Sequence, residues 1–157
     1  MNYSGGPIEQ RVNQGQAMSA CVFCDILADK RPSSIVFEDD VCCAFMDIQP
    51  VNPGHVLVIP RPHAACLAEL DRESGAHMFK VAQRVAKALR NSGLRCEGVN
   101  LFLADGEAAG QDVSHVHLHV FPRYWGDGFG LRFGPAYGNR PARIELDMIA
   151  ESIRDAL

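Results

Sequence analysis

Three histidines occupy alternate positions of one short segment, His115-Val116-His117-Leu118-His119. Alternate side chains of an extended strand project from the same face, so the imidazoles form a row while Val116 and Leu118 turn toward the core. An unprotonated imidazole nitrogen attacks phosphorus or a carbonyl carbon and leaves again afterwards. A neighbouring imidazole donates to a charged oxygen or passes a proton. The row therefore predicts group transfer at phosphorus, with acyl chemistry or a purely metal-binding row as the alternatives.

A second candidate site is the pair Cys21 and Cys24, which are separated by two residues. This Cys-x-x-Cys spacing lets two thiolates bind one zinc ion. The same pair can instead be buried thiols or a redox couple, and the spacing alone does not choose between them. Cys42 and Cys43 are neighbours in a strand-like run. They point to opposite faces of that strand, so we interpret both as packing residues.

Strands and helices of an α+β protein are expected to position these groups. Apolar, β-branched runs predict strands at 35–37, 41–48, 55–59, 99–103 and 115–121, with Pro60 and Pro122 ending the third and the fifth. Helical spacing predicts a short turn at 21–30, a long amphipathic helix at 74–91 with Gly93 just past its end, and a C-terminal helix from Ile144 to Ile153. We predict an antiparallel sheet of about five strands with the long helix packed on it.

Composition restricts the classes of function. The net charge of -4 argues against a general nucleic-acid binder, which normally has a basic face. No apolar run approaches the roughly 20 residues that cross a bilayer, and the first residues lack the apolar core of a signal peptide. We therefore expect a cytoplasmic protein without a membrane partner. Residues 1–18 are polar and predict a flexible tail, which leaves 19–157 as one domain with a C-terminal extension.

Three segments together, Phe37 to His55, Gly54 to His63 and Ala109 to Arg123, resemble the histidine-triad (HIT) family. The family signature, His-φ-His-φ-His-φ-φ, is met by residues 115–121, and the resemblance extends from about residue 21 to residue 127. It implies a HIT-like fold, a purine nucleotide substrate and a homodimer with a continuous sheet. The resemblance also implies nucleotide hydrolysis or transfer through a nucleotidyl-histidine intermediate.

The resemblance assigns a role to each histidine of the candidate site. His117 matches the nucleophile that attacks the α-phosphorus, and His119 matches the histidine that contacts the phosphate and the departing group. His115 and His55 match the supporting pair that orients the site. Asp47 matches the carboxylate that holds the ribose hydroxyls, and the alternative is a strand-end residue that caps the following turn.

Other matched positions concern the base and the phosphate. Phe23, Ile26 and Ile48 match apolar residues that enclose the base, while their types alone favour plain core positions. Gly110 and Gln111 match the loop that approaches the phosphate, where the amide of Gln111 is able to donate.

Two positions depart from the family pattern. Asp112 stands where many members place Ser or Thr, and an ionised Asp repels phosphate unless it is protonated or turned away. Ala104 stands where eukaryotic members often carry an amide. These departures put the leaving-group chemistry and one polar ligand contact in doubt.

The resemblance also completes the zinc site. In bacterial relatives with a Cys-x-x-Cys pair, two histidines that match His63 and His115 join Cys21 and Cys24. Such a Cys₂His₂ site is closed and structural. It would make His115 a metal ligand and leave two members of the triad for chemistry.

The sequence therefore predicts an enzyme that acts on purine nucleoside phosphoramidates, adenylated amines or dinucleoside polyphosphates. One alternative is a dinucleoside polyphosphate phosphorylase, in which Arg123 helps to hold phosphate in place of water. The other is a nucleotide-binding regulatory protein with little turnover. A pure zinc module is the weakest interpretation, because it leaves His117, His119 and Asp47 without a role.

Overall fold

A computed structural model describes residues 21–157 of the chain, in two compact units. The first unit ends at Asp127 and the second comprises Gly128–Leu157. The tail predicted at 1–18 lies outside the described residues, and the arrangement of 19–157 as one domain with a C-terminal extension stays a prediction.

The first unit contains one five-stranded sheet and two α-helices. Its strands are β1 (Ile35–Glu38), β2 (Cys42–Met46), β3 (Val56–Pro60), β4 (Gly98–Phe102) and β5 (Leu118–Arg123), and its helices are α1 (Val22–Leu27) and α2 (Arg72–Asn91). Each neighbouring pair of strands is antiparallel, and the order across the sheet is β1-β2-β3-β5-β4. The predicted α+β fold, with a five-stranded antiparallel sheet and a long helix, is confirmed.

The two faces of the sheet carry separate apolar clusters. On one face, side chains of β2, β3 and β5 pack against the buried side of α2. On the other face, α1 covers alternate residues of β2 and β3 through the buried ring of Phe23. Cys42 belongs to the first cluster and Cys43 to the second, so their predicted packing on opposite faces is confirmed.

Helix α2 begins and ends where its sequence supplies the caps. The carboxylate of Asp71 accepts from the backbone N–H of Ser74 at 2.9 Å, which satisfies one free donor of the first turn and starts the helix two residues before the predicted position. Gly93, with φ +81°, follows its end. The buried stripe consists of Ser74, Met78, Val81, Ala82, Val85 and Leu89.

The prediction that the third strand ends at Pro60 is confirmed, because Pro60 is the last residue of β3, but the prediction that Pro122 ends the fifth strand was wrong, because β5 continues to Arg123. Pro60 pairs with β2 only and Pro122 with β4 only, at positions where the β3–β5 ladder does not extend. A proline there breaks no ladder hydrogen bond. Both carbonyls accept side-chain donors instead, from His115 at Pro60 and from Asn52 at Pro122, each at 2.9 Å.

The fifth strand was predicted to begin at His115, but β5 begins at Leu118. The register pairs Val58 with Leu118, so two more steps would place Val116 opposite Pro60, which has no N–H. The N–H of Val116 donates instead to the carbonyl of Ala64 at 2.8 Å. His115 and His117 therefore precede the ladder.

The second unit contains the helix α3 (Arg143–Asp155), which confirms the predicted C-terminal helix. Within this unit the rings of Phe133 and Tyr137 stack with centroids 3.7 Å apart. None of the helices in the described part of the chain has the length and apolar character needed to cross a membrane.

Candidate active site and metal centre

The rings of the three histidines lie close together in one row, although only His119 belongs to the hydrogen-bonded ladder of the sheet. The ring of Phe23 makes edge contacts with His115 and His117 at centroid distances of 5.8 and 5.3 Å. The rings of His117 and His119 are 4.9 Å apart. Val116, Leu118 and Val120 all belong to the opposite core cluster. The predicted alternation therefore holds through the irregular segment before β5.

His117 has one ring nitrogen fixed by the backbone. Its Nδ1 lies 2.7 Å from the carbonyl oxygen of His115, and a carbonyl oxygen only accepts, so Nδ1 carries the hydrogen. In a neutral ring the lone pair is then on Nε2. The residue is buried, with 4% of its surface exposed. In its neutral form His117 thus presents the lone pair of Nε2 in a fixed orientation, which is the arrangement that a nucleophile requires.

His55 and His119 form a hydrogen-bonded pair with a defined direction. The N–H of Val51 donates to Nδ1 of His55 at 3.1 Å, so the hydrogen of that ring is on Nε2. Nε2 of His55 then donates to Nδ1 of His119 at 2.9 Å. His119 consequently carries its own hydrogen on Nε2. This order makes His119 a donor on its outward side.

Burial keeps both imidazoles of this pair neutral at pH 7. Desolvation, helped by the nearby rings of His117 and His55, lowers the pKa of His119 to about 4, against the opposing effect of Asp47 and Asp112. Desolvation also lowers the pKa of His55, against the opposing charge of Asp47. His119 is therefore a neutral hydrogen-bond donor over the physiological range.

Asp47 divides its two carboxylate oxygens between a turn and the histidines. Oδ1 accepts from the N–H of Gln49 at 2.8 Å, which is the turn-capping contact considered above. Oδ2 lies 3.4 Å from Nδ1 of His55 and 4.0 Å from Nδ1 of His119. Because both nitrogens already accept from other donors, neither approach is a hydrogen bond. Oδ2 faces the site with its accepting capacity unused by these rings.

The three candidate base-binding residues differ in burial. Phe23 is buried and Ile26 packs beside it, which agrees with core positions. Ile48 is 94% exposed, so the interpretation of Ile48 as plain core was wrong. It follows Asp47 in a bend after β2, where no strand continues to cover it. Ile48 is thus an apolar surface beside the candidate ribose carboxylate.

The side chain of Gln111 makes its hydrogen bonds to the backbone of its own loop and of a neighbouring segment. Its Oε1 accepts from the N–H of Gly106 at 2.7 Å, and its Nε2 donates to the carbonyls of Ala65 at 2.8 Å and Val113 at 3.0 Å. Both amide hydrogens are thereby in use. The predicted donation to phosphate requires one of these bonds to open, so Gln111 acts first as a brace for the loop.

The remaining predicted positions lie in or near the same loop. Gly110 has φ +87°, a conformation that glycine adopts without strain. Asp112 is exposed, and its charge acts on His119. Ala104 is buried in the position where an amide was considered.

A four-residue group at the other end of the row has the donors and spacing of a zinc site. Nδ1 of His115 lies 3.5 Å from Sγ of Cys21 and 3.7 Å from Sγ of Cys24, and Nδ1 of His63 lies 3.4 Å from Sγ of Cys24. All four donor atoms lie within 4.8 Å of one another. Tetrahedral zinc separates a sulfur from a nitrogen ligand by about 3.5 Å. The residues present therefore fit the ion.

The second nitrogen of His115 supports this assignment. Nε2 donates to the carbonyl oxygen of Pro60 at 2.9 Å, which leaves the lone pair on Nδ1, the atom that faces the two thiols. A second group, Asp47, His55 and His119, also brings three donor atoms within 4.8 Å. Both ring nitrogens of His55 and Nδ1 of His119 are already paired with each other or with Val51.

Several groups that orient the site were missed from the sequence. They are the backbone N–H of Val51, the side chain of Asn52 and the carbonyl oxygens of Pro60 and His115. Backbone groups carry no residue signal. Asn52 did have one, an amide side chain between Pro50 and Pro53 and three residues before His55, but this stretch was interpreted only as a turn or loop.

Comparison with known proteins gives the family. The model of the HIT domain matches residues 28–126. The chain belongs to the HIT family. An uncharacterized HIT-like protein of Borreliella burgdorferi is 42% identical over 119 residues, which are 74% of this chain and 85% of that protein. The adenosine 5'-monophosphoramidase hnt1 of Schizosaccharomyces pombe is 36% identical over 127 residues, 80% of this HIT protein and 91% of the yeast protein.

Solved structures agree with the fold and with a metal-binding group. A HIT family protein from Bacillus anthracis superposes with a TM-score of 0.81 at 36% identity, covering 88% of this chain and 98% of that one. A zinc-bound histidine triad family protein from Mycobacterium smegmatis has a TM-score of 0.68 at 43% identity, covering 74% and 84%. The Cys₂His₂ group of this HIT protein is compatible with zinc.

Proposed function

We propose that this HIT protein hydrolyses or transfers the nucleotidyl group of purine nucleoside phosphoramidates, adenylated amines or dinucleoside polyphosphates. The observation that carries the proposal is the state of His117, whose Nδ1–H is held by the carbonyl of His115 at 2.7 Å. Nε2 is the nucleophile. The phosphoramidase named among the yeast relatives supports the class of substrate.

In the first step the lone pair of His117 Nε2 forms a bond to the α-phosphorus, and the bond from phosphorus to the leaving atom breaks. The electron pair of that bond goes to the leaving atom. Because Nδ1 keeps its hydrogen, the resulting nucleotidyl imidazole is cationic and transfers its group readily. Water then takes the place of His117. Over both steps one water molecule contributes its hydroxyl to phosphorus and its hydrogen to the leaving amine.

His119 and Asp47 assist this reaction at different parts of the nucleotide. Nε2–H of His119 donates a hydrogen bond to the phosphate oxygen or the leaving atom, and as a neutral group it stays a donor throughout the neutral pH range. Oδ2 of Asp47 accepts from the ribose hydroxyls. The exposed Ile48, with Phe23 and Ile26, supplies apolar surface for the base.

The ion pair between Arg123 and Asp127 favours water over phosphate as the acceptor of the nucleotidyl group. Its guanidinium donates to Asp127 twice, from Nε at 2.6 Å and from Nη2 at 2.9 Å. A bidentate pair of this kind holds the arginine in place. Binding of a second anion by Arg123, on which the phosphorylase alternative depended, would compete with that pair for the guanidinium.

We also propose a structural zinc ion on Cys21, Cys24, His63 and His115. The bound ion would join the segment before α1 to the sheet and keep both thiols deprotonated. The binding-protein alternative was based partly on the loss of His115 from the triad. That loss leaves the nucleophile intact, because His117 depends on the backbone carbonyl of His115 and not on its ring.

We expect a homodimer and a cytoplasmic location, as predicted from the sequence. The proposed dimer contact is β4, which is an edge strand of the sheet. Leu101 and Phe102 on this strand are each about two-fifths exposed, at 38% and 43%. An edge strand with apolar side chains is suited to pairing with the same strand of a second copy.

The test is steady-state hydrolysis of adenosine phosphoramidate by the wild type, His117→Ala and a matched control, His77→Ala. His77 lies on α2 and pairs with Asp39 at 2.7 Å. We expect activity in the wild type and the control, without dependence on added phosphate, and none in His117→Ala. Equal activity in all three, or turnover only with added phosphate, contradicts the proposal.

A further inference from the structure

We propose that Asn52 is a positioning residue that fixes which nitrogen of His119 carries the hydrogen. The side chain of Asn52 holds the turn before β3, and that turn sets the hydrogen-bond direction of the His55–His119 pair. The kinetic consequence rests on the function proposed above. The structural consequence can be measured without any substrate.

The amide of Asn52 is anchored to the far end of β5. Its Nδ2 donates to the carbonyl oxygen of Pro122 and to Oδ2 of Asp127, both at 2.9 Å, across 70 and 75 residues of sequence. Asn52 is 4% exposed and the side chain of Asp127 is 3% exposed. The same carboxylate accepts from Arg123 at 2.6 and 2.9 Å. Asn52 is thus tied to a buried carboxylate that is also paired with Arg123.

The backbone on either side of this amide makes two contacts to His55. The carbonyl oxygen of Asn52 accepts from the backbone N–H of His55 at 3.1 Å. The N–H of Val51, the preceding residue, donates to Nδ1 of the His55 ring at 3.1 Å. Release of the Asn52 side chain therefore loosens both the main chain and the ring of His55.

The contact from Val51 selects between two hydrogen-bond patterns in the pair. With it, Nδ1 of His55 accepts, Nε2 donates to His119, and His119 keeps its hydrogen on the outward Nε2. Without it, Nδ1 of His55 can carry the hydrogen and donate to Oδ2 of Asp47, 3.4 Å away. Nε2 of His55 then accepts from Nδ1 of His119, and Nε2 of His119 loses its hydrogen. Both rings stay neutral in either pattern.

Only the first pattern gives the phosphate a donor. In the second pattern Nε2 of His119 has no hydrogen to donate to the negative charge that develops in the transition state. Asn52 does not contact the reacting atoms in this arrangement. It acts through the turn, Val51 and His55, so its loss affects the rate of the chemical step more than substrate binding.

The experiment compares the full-length wild type, Asn52→Ala and Val85→Ala by long-range ¹H–¹⁵N NMR of the histidine rings at pH 7. Val85 is buried on α2, in the apolar cluster on the face of the sheet opposite Phe23, so its truncation loosens packing and removes none of the hydrogen bonds of the turn. For Asn52→Ala we expect an Nδ1–H form of His119 to appear. The kcat for a phosphoramidate should fall about 10-fold while KM stays within about 2-fold. Val85→Ala should retain the Nε2–H form and most of the kcat.

Unchanged ring tautomers in folded Asn52→Ala overturn the inference, as does an equal loss of kcat in Val85→Ala. If Asn52→Ala does not fold, Asn52→Ser takes its place, because its hydroxyl can still donate to one of the two acceptors. An intermediate tautomer population and an intermediate kcat are then expected, and a wild-type tautomer pattern with lowered kcat overturns the proposal. Absence of turnover in the wild type refutes the proposed function alone, since the tautomer comparison still decides the role of Asn52.

Discussion

The two ends of the histidine row differ in what their second ring nitrogen contacts. At one end, His115 is fully buried, with Nε2 on the carbonyl of Pro60 and Nδ1 toward two cysteine thiols. At the other end, the side chain of His119 is 20% exposed, with only Nδ1 engaged by a histidine. Both nitrogens of His115 are therefore committed, while His119 retains one for a ligand.

This difference teaches that the residue type alone does not decide the chemistry of the row. His117 lies between the two ends and contacts the backbone of His115 on one side and the ring of His119 on the other. The carbonyl of His115 holds its Nδ1–H, and the ring of His119 lies 4.9 Å from its own. In the proposed function, His115 belongs to the zinc group (the metal end), and His117 and His119 supply the reacting groups (the catalytic end).

The largest expected effect comes from a mutation that removes the proposed nucleophile and leaves the metal group intact. His117→Ala should lower kcat/KM by at least about 10³-fold, because the nucleophile is lost. Zinc content and Tm should stay near those of the wild type, since His117 belongs to neither the metal group nor the main core. Phosphoramidate kinetics and metal analysis on the same samples provide the measurement. A loss of zinc in His117→Ala would contradict the proposed division of the histidine row into a metal end and a catalytic end.

Removal of the metal end should change stability first. Cys24→Ser should lose the bound zinc, which at 1,000 times its Kd contributes about 4 kcal/mol. For a protein of this size the loss corresponds to a fall in Tm of roughly 10 °C. Thermal melts with and without a chelator measure it, with Cys66→Ser as the matched control. If both variants melt alike, the cysteine pair does not hold a stabilising ion.

Acid should destabilise the catalytic end over a defined range of pH. The pKa values of His55 and His119 are lowered in the folded state, that of His119 to about 4, so unfolding takes up protons below the ordinary value of 6.5. The contribution of these two histidines to the free energy of unfolding is present above pH 6.5 and is lost as pH falls toward 4. Urea unfolding at several pH values should show a shallower decline for His119→Asn. Parallel curves for the two proteins would contradict this account.

The smallest expected effect concerns Asp112, whose carboxylate acts on His119 and is exposed. Asp112→Asn should lower KM for an anionic nucleotide by about 3-fold at low salt, and screening should reduce the difference at physiological ionic strength. Asp40→Asn, in the exposed turn between β1 and β2, is the control. Identical KM values for the two variants at low salt would show that Asp112 is turned away from the phosphate.

Much of the fold follows from local pattern. Alternation placed Val116, Leu118 and Val120 in the core and the histidines opposite them. The ends of strands were less predictable, because Pro60 and Pro122 are tolerated only where a neighbouring strand has already ended. That condition depends on the register between segments 60 residues apart. A single sequence does not contain it.

The candidate site was predictable in its residues and less so in its connections. The row, Asp47 and the cysteine pair are visible as side-chain types at fixed spacings. The direction of the His55–His119 bond depends on the backbone of Val51, and the brace at Gln111 depends on the carbonyls of Ala65 and Val113. Each of these contacts has a main-chain group as one partner, and main-chain groups are the same for nearly every residue, so no sequence signal distinguishes them.

The most direct test of the central claim is to locate the covalent intermediate. The zinc-loaded wild type is mixed with an adenosine phosphoramidate, quenched within milliseconds and mapped by peptide mass spectrometry. We predict one nucleotidyl group per chain, on His117, with none on His115 or His119. An adduct on another histidine, or rapid turnover without any adduct, would contradict the division of the row into a metal end and a catalytic end.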